Sequence, residues 1–284
     1  MSFELSLNQA TTRPYALPDT ARAAADAGIR HLGLWVEPVL ELGVPATVRL
    51  LEETGLRASS VCRVGFVADK EGERLRTALD DVRRALDLSA AVGAPSLTFI
   101  AGALPAAPRD LRLAEARVRD ALETLEAYAR ATGVRLALEP IHPLFVTSRS
   151  AVTTIRQALR IVADLPADTV GILLDAYATF WDPDLRDSVR EAGERIAGYQ
   201  VNDFALPLPG PENMNGRLLP GEGEIDLRAL TRTVAEAGYR GPIEVEVFND
   251  DLWAQPLETI VMRTVRAFER AVTTPLADAE AAVS

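Results

Sequence analysis

Cysteine is almost missing from this chain. A single residue, Cys62, excludes an internal disulfide and a thiolate zinc site. Histidine is nearly as scarce. With only His31 and His142, a three-histidine metal site is impossible, and any metal centre must rest on carboxylates. Basic residues are outnumbered, 30 Lys and Arg against 41 Asp and Glu, for a formal charge of -11. That balance counts against nucleic acid or an anionic membrane surface as a partner. No apolar run approaches the roughly 18 residues of a membrane span. The start, Met1 to Leu5, lacks the basic stretch and apolar core of a secretory signal. The expectation is a cytoplasmic protein acting on a small molecule, with neither nucleic acid nor membrane as partner.

What is present is ordinary globular material, 48% hydrophobic and 25% charged over 284 residues. Short apolar runs alternate with longer amphipathic segments. Eight runs qualify as strands: 3–8, 30–36, 57–63, 96–101, 134–140, 169–175, 196–202 and 242–247. Between them, Leu75, Leu79, Val82 and Leu86 recur at helical spacing. So do Val118, Leu122, Leu125 and Tyr128, and Ile155, Leu159 and Val162. Gly28, Gly55, Gly93, Gly133 and Gly238 each close a helical pattern just before a strand. Strand, helix, glycine, strand, eight times over, predicts an α/β protein of one domain, a (β/α)8 TIM barrel. An open doubly wound sheet fits less well, because no glycine-rich phosphate turn follows the first strand. The barrel is expected over residues 1–272, followed by a flexible acidic tail, 273–284. One connection, 203–224, is long enough to be a lid over the site or a tolerated insertion.

Barrel enzymes place their chemistry at the carboxyl ends of the strands. Alternation of side chains sorts the polar residues there. Glu139, Asp175, Gln200 and Glu246 face inward from four successive strands, with Glu244 and Asn202 on the same parity. Three carboxylates crowded at one mouth repel. A divalent cation, raised pKa values or nearby basic groups must compensate. An oxygen-rich cage suits Mn or Mg better than Zn. The structural alternative is that these acids cap helices or pair with arginines at the rim. His142, just beyond Glu139, is placed for substrate contact or proton transfer. His31 lies at the opposite face and is assigned to stability. Cys62 is either a pocket residue or a buried filler. Tyr177, Phe180, Trp181, Phe204 and Trp253 form an aromatic wall or simply pack the rim. No lysines or arginines cluster at the strand ends, which speaks against a phosphorylated substrate.

The segments Leu-Ala-Leu-Glu139-Pro-Ile-His142-Pro, Leu-Leu-Asp175-Ala-Tyr177, Gln200-Val-Asn202-Asp203, Gly221-Glu-Gly-Glu-Ile-Asp226 and Gly241-Pro-Ile-Glu-Val-Glu246 resemble the sugar phosphate isomerase/epimerase family, of the xylose isomerase-like TIM barrel superfamily. The resemblance implies one divalent metal, Mn or Mg, on Glu139, Asp175, the residue at 200 and Glu246. It also implies that Glu139 and Glu246 flank the substrate as an acid/base pair, with one removing the proton beside a carbonyl and the other returning it. Two positions depart from the family pattern. Gln200 stands where histidine is usual, and Ala178 where a substrate-facing histidine is usual.

The expected activity is therefore an isomerase, epimerase or lyase of a polyhydroxy carbonyl compound in carbohydrate metabolism. Glu139, Glu246 and His142 are its catalytic residues, and Asn202, Asp203, Tyr177 and Trp181 its substrate contacts. A second reading keeps the fold and the acids without a metal, acting on a bulkier, aromatic metabolite. A third is a non-catalytic subunit. The resemblance leaves a homo-oligomer open.

Overall fold

The computed structural model describes residues 3–207 and 214–273. Eight parallel strands close into a barrel: β1 (Leu5–Asn8), β2 (His31–Trp35), β3 (Arg57–Gly65), β4 (Ser96–Ile100), β5 (Arg135–Glu139), β6 (Val170–Asp175), β7 (Ile196–Val201) and β8 (Ile243–Val245). Neighbours follow chain order, and β8 pairs back onto β1 through Leu5 opposite Ile243. Every expected strand is present within a residue or two of its bounds. The expected tail lies outside the described residues, apart from Thr273. Among the described residues, no helix is long and apolar enough to cross a membrane.

The helices form where periodicity and caps coincide. Leu111–Thr132 starts at Asp110, whose carboxylate accepts from the backbone N–H groups of Arg112 and Leu113. It buries Val118, Leu122, Leu125 and Ala129 against the sheet. It ends at Gly133, whose φ of 71° is the left-handed conformation that a side chain disfavours.

Alternation along the strands separates two interiors. Leu136, Leu138, Ile172, Leu174, Tyr199, Val201, Ile243 and Val245 face the helices and join one continuous apolar core. The opposite parity points into the barrel and is largely polar. Its lower tier is a hydrogen-bonded knot around Glu244. That carboxylate accepts from Asn8 Nδ2 (2.9 Å), Ser59 Oγ (2.8 Å) and Gln200 Nε2 (3.2 Å). Gly33 makes room for the knot, since a Cβ there would stand 2.7 Å from Glu244 Oε2. His31 sits at the other end of the barrel, as its position in the sequence implies, with Nε2 2.8 Å from Glu4 Oε2.

Candidate active site

The upper tier opens at the carboxyl ends of the strands, as the barrel rule requires. Glu139 ends β5, Asp175 ends β6, and Glu246 follows β8 by one residue. All three are buried. Register brings Asp175 opposite Gln200, and Gln200 opposite Glu244. Glu139 and Glu246 line a cleft of about 760 Å³, counting its open mouth, together with Trp35, Cys62, Thr98 and Phe248.

The carboxylates do not stand alone. Arg217, itself buried, places Nη1 3.3 Å from Asp175 Oδ2 and 3.3 Å from Glu246 Oε2. Its guanidinium is sandwiched by the rings of Tyr177 (4.5 Å) and Phe248 (4.8 Å). The long connection after β7 delivers it. Asp203–Phe204 pairs antiparallel with Arg217–Leu218. The backbone of Arg217 is held twice more, by Phe248 O accepting from its N–H and by Asn249 Nδ2 donating to its carbonyl. Of this connection, residues 208–213 lie outside the described residues.

Electrostatics follow from this packing. Burial, then the charges of Glu246 and Asp175, push the Glu139 carboxyl well above its ordinary range. Burial also raises Glu246, to about 8, although Arg217 pulls it down. Burial opposes the charge on Arg217, but Asp175 and Glu246 outweigh it and hold the guanidinium more firmly protonated. Two of the three compensations expected from sequence are therefore present together, raised pKa values and a basic group.

The other expected site residues separate into two roles. Asn202 is fully committed to the scaffold. Its Nδ2 donates to Asp175 Oδ2 (2.9 Å) and to the Glu246 carbonyl (3.1 Å), while its Oδ1 accepts from the Tyr177 N–H (2.8 Å). Asp203 pins the long connection, accepting from the N–H groups of Phe204, Ile225 and Gly221 at 2.9 to 3.0 Å. Gly223 belongs to the same pin, because a Cβ there would meet Phe204 O at 2.4 Å. His142, Tyr177, Phe180, Trp181 and Phe204 form an aromatic cluster beside the cleft. His142 stacks on Tyr177 at 5.3 Å, and Trp181 Nε1 donates to the Ala178 carbonyl. None of these five, nor Asn202 or Asp203, is among the residues lining the cleft. Cys62 does line it, and burial holds its thiol protonated.

Asp203→Ala leaves three backbone donors without an acceptor. An unmet buried donor costs about 1–3 kcal/mol, so the variant is expected to melt several degrees below the parent. Its KM should rise more than its kcat falls, because the ladder carrying Arg217 loosens. Unchanged melting and KM would show that Asp203 does not hold the ladder.

The expectation that no basic groups gather at the mouth is overturned. Arg13, Arg63, Arg149 and Arg217 all line the cleft. Strand-end inspection missed them because three of the four lie on connections, where a long side chain reaches back over the barrel. Only Arg63, in β3, could have been found by parity.

Among the described residues, no three His, Cys, Asp or Glu side chains stand close enough to hold an ion as they are. Arg217 carries the positive charge between two of them. The donor chemistry nonetheless fits a hard divalent cation. Gln200 gives its Nε2 to Glu244, which leaves Oε1 buried with no hydrogen-bond partner. Three carboxylates and one orphaned amide oxygen are an all-oxygen donor set.

Comparison with known proteins agrees with this architecture. The chain is 30% identical over 250 residues to a 3-dehydroshikimate dehydratase of Pseudomonas aeruginosa, covering 84% of this chain and 37% of that one. It spans little more than a third of that relative. It is 30% identical over 144 residues, half of each chain, to an inosose isomerase of Bacillus subtilis. The crystal structure of protein SMc04130 from Sinorhizobium meliloti 1021 superposes with a TM-score of 0.89 at 32% identity, over 94% of this chain and 98% of that one. The IOLI protein, solved with a zinc atom bound, superposes at 0.83 with 20% identity, over 95% and 98%. The family model for the xylose isomerase-like TIM barrel matches residues 21–271. The chain belongs to the xylose isomerase-like TIM barrel family.

Proposed function

We propose that this protein is a proton-transferring isomerase, epimerase or lyase of a polyhydroxy carbonyl compound, working on a small molecule in the cytoplasm. The observation that carries the reading is the pair Glu139 and Glu246. Both are buried at one cleft, and burial raises both carboxyls, Glu246 to about 8 and Glu139 well above its ordinary range. A carboxyl so tuned can take a carbon-bound proton as a base and return one as an acid near pH 7. A dehydratase and an isomerase are among the relatives, and removal of a proton beside a carbonyl can open either kind of reaction.

Asp175 and Asn202 brace Arg217 and Glu246 from behind the cleft. Arg217 supplies a buried positive charge beside the carboxylates, suited to an oxygen that becomes negative as the proton leaves. Phe248, Trp35 and Ile100 shed water from the cleft. Glu139, Asp175, Glu246 and the Gln200 oxygen would hold a divalent cation, Mn or Mg by its preference for oxygen donors, and a bound cation would polarise the substrate carbonyl.

The test follows carbon-bound hydrogen. The protein, loaded with Mn²⁺ or Mg²⁺ and separately treated with chelator, is incubated in D₂O with 3-dehydroshikimate, an inosose and D-allulose. Deuterium entering beside the carbonyl, or loss of water from the first compound, is the expected result with at least one of them. No exchange with any, loaded or chelated, would overturn the proposal.

A further inference from the structure

The cleft has a second wall, built from arginine. Arg13 lies on the connection after β1, Arg63 in β3, and Arg149 on the connection after β5. They share the lining with Arg217, in a chain whose formal charge is -11. Arg217 has its carboxylates. Arg13, Arg63 and Arg149 form no ion pair with an acidic side chain among the described residues, although Arg63 is near enough to Glu139 for its charge to favour the ionised carboxylate. Much of the surface arginine does find a partner, as Arg83 does with Asp80 and Arg190 with Asp187.

The three are positioned all the same. Arg63 lies over Trp35 at 4.9 Å and Phe66 at 5.7 Å, and Arg13 over Trp253 at 5.5 Å. Stacking on a ring holds the plane of a guanidinium and leaves its N–H edge open to an acceptor. The Nε of Arg63 is buried with no hydrogen-bond partner. Arg149 is half-buried, and burial followed by the charges of Arg63, Arg13 and Arg217 lowers its hold on its proton. The groups are thus close enough to repel. Like charges gathered at one wall, two of them held by rings and one with a buried donor unused, are a costly arrangement that an anion would relieve.

We propose that Arg13, Arg63 and Arg149 form an oxyanion subsite, so that the substrate carries a carboxylate or phosphate group on its polyhydroxy carbonyl frame. The inference rests on the proton-transfer reading for the remainder of the substrate, and on the arginines alone for its anionic group. The two walls divide the labour. Carboxylates act at the carbonyl, and guanidiniums grip a charged end away from it. Planar forks match both carboxylate and phosphate oxygens, so the shared chemistry is the oxyanion itself.

Calorimetric titration tests it without turnover. The probes are inorganic phosphate, gluconate as a polyhydroxy carboxylate, and glucose as a neutral polyol. At least one anion is expected to bind, more weakly as KCl is added, while glucose gives no heat. Preference between phosphate and gluconate identifies the group. Arg149→Gln should weaken the anion at least tenfold with the far-UV spectrum intact. Arg13→Gln, at an exposed position, serves the same end if the first variant does not fold. Binding of neither anion, equal binding of glucose, or anion affinity unchanged in the folded variants would overturn the subsite. Anion binding lost in these variants, with no hydrogen exchange on any carbonyl compound, would leave the subsite standing and remove the chemistry instead.

Discussion

Glu139→Gln is expected to lower turnover by about 10²- to 10⁴-fold, the range for removing a positioned acid or base, and Glu246→Gln by a similar factor. The replacement is nearly isosteric, so the cleft keeps its shape. Glutamine cannot accept a carbon-bound proton. Glu139→Gln should melt no lower than the parent, because it removes a buried carboxyl whose ionisation burial and the charges of Glu246 and Asp175 disfavour, whereas Glu246→Gln takes one partner from the buried Arg217 and should melt lower. Loss of activity with melting retained in Glu139→Gln would separate a chemical role from a structural one. The two single losses should also not add in the double variant, since either alone interrupts the same transfer. Full activity in either variant would refute the acid/base assignment.

Arg217→Met is the second large effect. Methionine retains the apolar stem between Tyr177 and Phe248 but removes the charge. Asp175 and Glu246 then lose a buried partner. Breaking a buried pair from one side costs about 3–5 kcal/mol, on the order of 10 °C in melting temperature for a chain near this size. The loss should depend on pH, with a definite sign. Burial pushes Glu246 up to about 8, against an ordinary value of 4.5. Its folded form therefore binds the proton more tightly than its unfolded form. That contribution to stability is complete below about pH 4.5 and disappears as pH rises through 8. Arg217 opposes the disappearance by favouring the ionised carboxylate. The gap between parent and variant should therefore widen from pH 5 to pH 9 in urea unfolding. An equal gap at both pH values would mean that Arg217 stabilises by packing alone.

The barrel was legible in the sequence because one physical rule repeats. A strand with apolar residues facing the helices needs the same parity at Leu136 and Leu138, at Tyr199 and Val201, and at Val245 and Val247, and that parity is visible without coordinates. The same rule placed Glu139, Asp175 and Glu246 at one rim. It could not tell Glu246 from Glu244. Both face inward, and only depth in the barrel separates a cleft residue from the centre of a buried knot. Nor could it show that Asn202 and Asp203 spend their polar atoms on the scaffold, since that depends on which backbone groups a folded connection brings near. Arg217 was least visible. It lies 16 residues beyond Val201 on an irregular segment, and it reaches Asp175 only because a two-residue ladder turns that segment back over the mouth.

Gln200 joins the two tiers of the barrel interior, and that has a consequence for how the site can change. A carboxylate that accepts three hydrogen bonds leaves an adjoining amide one sensible orientation, with its nitrogen toward the acid. The direction of the buried amide oxygen is thus decided by the tier below it. Exchange Glu244 for a donor, and the amide would turn over, presenting N–H where oxygen now stands. A descendant could thus reverse the polarity beside Asp175 and Glu246 without altering a single residue of the cleft wall.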